Sequence, residues 1–131
     1  MTGAIDCVDS PQLRPPAGHY AHACIAGGFV FVSGQLPVAA DGAVLSAQPF
    51  EAQARWVLAN VDACLARAAV GRDRLVSVRV YLVDMSHWPT FDALYAAWIG
   101  AHRPARAVAG VAQLHHGAAL EIEAVALAAP G

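Results

Sequence analysis

From Gln48 onward the hydrophobic period of the chain changes from two residues to nearly four, returns to two, and then repeats the change. Few folds accommodate that alternation. Phe50, Ala54, Val57, Leu58, Val61 and Leu65 fall at helical spacing behind Pro49, a residue suited to a first helical position, so an amphipathic helix is predicted over 49–69, stopped near Gly71. Residues 75–83 alternate, with Val76, Val78, Val80 and Leu82 on one face and Ser77, Arg79 and Tyr81 on the other, the pattern of a half-buried strand. Pro89 opens a second helix lined by Phe91, Leu94, Tyr95 and Trp98 and ending at Gly100. Period two resumes at 105–112 and again at 119–128, where Leu120, Ile122, Ala124 and Ala126 face one way and Glu121, Glu123, Val125 and Leu127 the other.

The segment before Gln48 completes the pattern. Residues 1–18 carry Pro11, Pro15, Pro16 and Gly18 and read as an irregular lead-in. Two β-prone runs, 22–26 and 29–33, flank Gly27-Gly28, a dipeptide suited to a two-residue hairpin turn. The second run ends at Ser33-Gly34-Gln35, and Pro37, with no N–H to donate, takes the chain out of the sheet. Asp41-Gly42 and His116-Gly117 mark further turns. The order is ββαβαββ, an α+β two-layer sandwich in which both helices cover one face of a mixed sheet. A chain of 131 residues suits one domain, 1–131, with a single core. The uncovered face mixes Arg79, Tyr81, Glu121 and Glu123 with aliphatic residues. That is too apolar for open solvent and too charged for a core, so other subunits are expected to cover it, with sites at the joints.

Composition excludes several chemistries. Eight arginines and no lysine stand against ten acids, a net charge of -2, so a Schiff-base lysine, a pyridoxal-phosphate anchor and a P-loop lysine are ruled out and no cofactor is expected. No basic run is present to hold phosphates, so nucleic acid is not an expected partner. No uninterrupted apolar stretch suggests a membrane span, and the N-terminus lacks a signal-peptide pattern, which makes the cytoplasm the expected compartment. Cys7, Cys24 and Cys64 lack zinc-site pairing and are expected to be reduced thiols; the six histidines lack metal-ligand spacing, so no metal is expected.

In a chain that is 57% apolar and 14% charged, Arg106 in Arg103-Pro104-Ala105-Arg106 and Glu121 in Glu121-Ile122-Glu123 make the sharpest chemical contrast. The fork of an arginine suits a planar carboxylate, and a carboxylate facing away from the helices can exchange a proton or hold a water. Ser33 offers a hydroxyl at a strand end, and Tyr20 an amphipathic wall with a donor at its tip. By spacing alone, Arg106 and Glu121 on adjacent strands also fit a cross-strand ion pair, and Ser33 fits a turn former.

Tyr20, Phe31-Val32-Ser33-Gly34-Gln35-Leu36-Pro37, Arg103-Pro104-Ala105-Arg106-Ala107-Val108 and Leu120-Glu121-Ile122-Glu123-Ala124 together resemble the successive motifs of the Rid family, also called the YjgF or L-PSP endoribonuclease family. The resemblance spans about residues 18–127. It implies a chorismate-mutase-like fold in a homotrimer with clefts between subunits. It further implies cofactor-independent hydrolysis of enamines and imines such as 2-aminoacrylate to 2-keto acids and ammonia. Arg106 would bind the substrate carboxylate, Glu121 would position or activate water, and Tyr20, Ser33 and the backbone near Val108 would line the cleft. Val108 stands where the best-known deaminases of that family have cysteine. A non-catalytic trimer that binds small 2-keto or amino acids, and a dedicated catabolic deaminase acting on an aminomuconate-like intermediate, are the alternatives.

Overall fold

The computed structural model of the protein describes residues 3–130. Its strands are β1 Asp6–Val8, β2 Ala23–Ala26, β3 Phe29–Gln35, β4 Leu75–Leu82, β5 Ala105–Gly110 and β6 Leu120–Leu127, and its helices are α1 Phe50–Arg67 and α2 Trp88–Ile99. Among the described residues the strands form one sheet in the order β1-β2-β3-β6-β4-β5. All neighbours are antiparallel except β4 and β5, which run parallel because α2 carries the chain across between them. The α+β sandwich expected from the sequence is present, with one addition. Asp6–Val8, placed in an irregular lead-in, pairs with β2 in the register Cys7 to Cys24, so the sheet edge begins earlier than residue 18.

Both helices pack on one face. Val57, Val61 and Leu65 of α1 and Phe91 of α2 meet Val80 and Ile122 in a core where each is almost fully buried. Burial of large apolar side chains of this kind contributes about 1.5–3 kcal/mol each and drives the layering. Val76 departs from the predicted alternation. The register shifts between Leu75 and Ser77, which puts Leu75 in the core and leaves Val76 exposed.

Helix α1 begins after Pro49, whose carbonyl accepts the Gln53 N–H at 3.1 Å. It ends before Gly71. The N–H of Ala69 donates to the Ala66 carbonyl at 2.9 Å and that of Val70 to Leu65 at 3.1 Å, a Schellman closure that puts Ala69 in the left-handed region at φ 62°. An alanine there meets its own Cβ against the carbonyl. Ala69→Gly should therefore raise unfolding stability by about 1 kcal/mol, read as a higher urea midpoint with an unchanged m-value.

The loop between β3 and α1 is tied down by side chains of α1. Asn60 Nδ2 donates to the carbonyls of Leu36 (3.0 Å) and Val38 (3.1 Å). Gln53 Nε2 donates to those of Ser46 (3.1 Å) and Gln48 (2.8 Å), while Gln53 Oε1 accepts from the Ala119 N–H at 2.9 Å, just before β6. Buried amides satisfied in this way fix where β3 leaves the sheet relative to where β6 enters it. Among the described residues no layer covers the opposite sheet face. Phe29, Phe31, Val76 and Leu127 stand exposed there, more apolar surface than solvent usually meets.

Candidate functional site

The candidate residues fall into two groups on opposite faces of the sheet. Arg106 lies opposite Val78 and Val108 opposite Val80 in the β4/β5 register, so both point to the helix side at the open edge of the sheet. Glu121 lies opposite Tyr81 on the uncovered face. The expected neighbourhood of Arg106 and Glu121 is thus not found within one chain. Strand β4 separates β5 from β6, and the two side chains leave the sheet in opposite directions.

Arg106 instead meets α2. Its Nη1 donates to Asp92 Oδ1 at 2.8 Å, and its guanidinium lies 4.9 Å from the centroid of the Tyr95 ring and 5.8 Å from that of Trp88. Aromatic faces and one carboxylate hold a planar cation in a fixed orientation while leaving further N–H donors along its fork. Tyr95 Oη is buried with no hydrogen-bond partner among the described residues. Burial pushes the Tyr95 phenol up, opposed by Arg106, so it remains a protonated donor at neutral pH. Val108 is half-buried and packs on the core beside this group.

On the uncovered face Glu121 is half-buried. Desolvation, and then the charge of Glu123, hold its carboxyl above the usual carboxylate range, with His115 opposing. Glu123 has a local partner, since the Tyr81 hydroxyl donates to its Oε1. Gly34 makes room for Glu121. The β3/β6 register shifts between Val32 and Gln35, and a Cβ built on Gly34 would overlap the Glu121 carboxylate. That atom is the far end of a flexible side chain, so Gly34→Ala should displace the carboxyl while leaving the fold intact. The expected result is an unfolding midpoint shifted by less than about 3 °C, read by thermal melts.

Ser33 precedes Gly34 in this bulge. Its Oγ donates to the Ala21 carbonyl at 2.6 Å, the local role expected of a strand-end serine, and its oxygen can still accept. Tyr20 is 51% exposed and, with Arg14, His22, Gly34 and Gln35, lines a small cleft of about 50 Å³. Glu121 and Ser33 therefore adjoin Gly34, which also lines the Tyr20 cleft, while Arg106 and Val108 stand at the far edge with Trp88, Asp92 and Tyr95. Asp92 and Gly34 were not singled out in the sequence. A signal existed for Asp92, which is the sole charged residue of α2 and lies four residues after Trp88 and three before Tyr95, a spacing that shares one helix face. Among the described residues no group of three or more His, Cys, Asp or Glu side chains is arranged to hold a metal ion, and no helix is long and apolar enough to cross a membrane.

Residues 11–128 match the family described as endoribonuclease L-PSP. The chain belongs to this family, the Rid or YjgF family. Among Rid-family relatives, the mitochondrial protein MMF1 of Saccharomyces cerevisiae is 38% identical over 119 residues, covering 90% of this chain and 81% of its own. The crystal structure of the yeast protein YEO7 superposes with a TM-score of 0.92 at 30% identity, covering 96% of this chain and all of that one. The structure of Escherichia coli TdcF with bound serine superposes with a TM-score of 0.88 at 27% identity, covering 95% of this chain and 99% of that one. Rid-family membership and the chorismate-mutase-like sandwich expected from the motifs are thus both established.

Proposed function

We propose that the protein hydrolyses reactive enamine and imine intermediates of the 2-aminoacrylate type to 2-keto acids and ammonia, at clefts closed between copies of the chain in a homotrimer. Arg106 binds the substrate carboxylate, Glu121 positions and activates the attacking water, and Tyr20, Ser33 and the Val108 backbone line the cleft. The observation that carries this reading is the state of Glu121, a half-buried carboxyl held above its usual titration range beside Gly34, on a face that no layer covers among the described residues. A carboxyl in that condition is a stronger base than an exposed glutamate, which suits it to take a proton from water.

The chemistry requires no more than these groups. The enamine tautomerises to an imine, whose C2 is electrophilic. Water adds to C2, losing a proton to Glu121, and the nitrogen takes up a proton. In the resulting carbinolamine the hydroxyl proton passes to the amine nitrogen by way of the Glu121 carboxylate as the C2–N bond breaks, which releases ammonia and leaves the 2-keto acid. Anchoring the carboxylate fixes C2 relative to the water, and orientation together with acid–base help contributes roughly 3–6 kcal/mol each. Because Arg106 and Glu121 leave opposite faces of one sheet, their cooperation requires the arginine of one copy to meet the glutamate of another. The exposed Phe29, Phe31, Val76 and Leu127 supply an apolar surface for that assembly. Free Cys7, Cys24 and Cys64 suit a reducing compartment, the cytoplasm in this reading.

A second reading is supported by the serine in the E. coli TdcF structure: the same cleft holds a small amino or keto acid without turning it over, as a regulator would. One assay separates the two. With 2-aminoacrylate generated by a dehydratase, the deaminase accelerates pyruvate formation over the spontaneous rate. Absence of acceleration at micromolar protein leaves the binding reading.

A further inference from the structure

Arg106 is not a bare cation waiting for an anion. Its Nη1 is already engaged by Asp92 at 2.8 Å, both side chains remain partly accessible, at 22% and 42%, and the rings of Tyr95 and Trp88 keep the guanidinium in place. We propose that Asp92 is a specificity-determining residue that turns the Arg106 subsite into a receptor for zwitterions. The preferred ligand class is a carboxylate with a protonated nitrogen on the neighbouring carbon, such as a 2-iminium or 2-amino carboxylate, over the plain anion of a 2-keto acid. The inference rests on Arg106 being the carboxylate anchor and adds what sits beside it.

The electrostatics follow from the pair. A lone arginine attracts any carboxylate. With Asp92 in contact the subsite is formally neutral, and a carboxylate laid on the remaining N–H donors comes within a few bond lengths of a second negative charge. A monoanionic 2-keto acid meets that repulsion with nothing to offset it. A ligand whose C2 nitrogen is protonated places a donor next to its carboxylate, and the accessible Asp92 carboxylate accepts a charge-assisted hydrogen bond from it. Selection thus comes from a repulsive element against the product-like anion as well as an attractive one for the nitrogen. The same contact favours the protonated imine, the form more open to attack by water, and disfavours retention of the keto acid once ammonia has left. The Tyr95 hydroxyl is buried and has no hydrogen-bond partner among the described residues.

L-alanine and pyruvate share a carbon skeleton and differ at C2, so they serve as the probes. Calorimetric titration of the intact protein should give L-alanine an affinity about tenfold or more above that of pyruvate. Asp92→Asn, nearly the same shape without the charge, should bring the ratio close to unity by weakening alanine and strengthening pyruvate, and Asp92→Glu should keep the preference. A ratio equal in wild type and Asp92→Asn overturns the proposal and reduces Asp92 to a residue that positions Arg106. So does a wild-type preference for pyruvate, or binding of neither probe. Turnover of 2-aminoacrylate by the same samples separates this from the proposed function. Turnover without discrimination sinks the zwitterion subsite alone, whereas discrimination without turnover sinks the deaminase and leaves the subsite standing.

Discussion

Arg106→Ala is expected to lower kcat/KM for 2-aminoacrylate about a thousandfold, because the fork of charge-assisted hydrogen bonds to the substrate carboxylate and the orientation it imposes disappear together. The fold should survive. Asp92 loses its partner but is 42% accessible on its side chain, so water can replace the arginine, and the unfolding free energy should fall by less than about 1 kcal/mol. Arg106→Lys separates charge from geometry. A lysine at this strand position presents a point charge without the planar fork, and it should recover only a minor part of the lost activity. Steady-state kinetics with a thermal melt on each variant check all of this, and wild-type kcat/KM in Arg106→Ala would remove the anchor from the mechanism.

Glu121→Gln should have two effects of opposite sign. Turnover should fall about a hundredfold with KM nearly unchanged, the signature of a lost proton acceptor rather than a lost binding contact. Stability should rise at neutral and alkaline pH. Burial and the neighbouring Glu123 hold the Glu121 carboxyl above the usual range, so the folded state disfavours its anion. The stabilisation of the folded state by the neutral acid is fully present below the unfolded-state pKa of about 4.3 and is lost as pH rises through the raised folded-state value. Glutamine has no such loss. Its unfolding midpoint should therefore exceed that of the wild type near pH 8 and converge with it toward about pH 4, in melts run across that range. A variant less stable than wild type at pH 8 would mean that the charged carboxylate is held by favourable contacts.

The parts of the fold that could be read from the sequence are those fixed by local periodicity. Helix α1 and strand β6 appear within two residues of their expected limits, because each carries an uninterrupted apolar stripe of one period. Strand β1 was hidden, since Asp6–Val8 is too short to show alternation and exists as a strand only through its pairing with β2. The outward turn of Val76 was hidden as well, because a bulge is decided by the partner strand and not by the residues within it.

The candidate site divides along the same line. Arg106, Glu121, Ser33, Tyr20 and Val108 could be named from their motifs, but their relative placement could not. It depends on β6 inserting between β3 and β4, and on the parallel crossover that lays α2 beside β5. The same crossover explains why Asp92 was missed. A single acid on a helix ordinarily faces solvent, and only the return of the chain along β4 brings Arg106 under it.

The most direct test of a site shared between copies uses two inactive variants. Arg106→Ala and Glu121→Gln subunits, each nearly without turnover alone, are unfolded together in equal amounts, refolded, and assayed for pyruvate formation from 2-aminoacrylate. If the arginine of one copy serves the glutamate of the next, random assembly restores both groups at about a quarter of the clefts, and the mixture should recover about a quarter of wild-type activity. Activity no higher than that of the separate variants, in a mixture shown to contain hybrid assemblies, would contradict it.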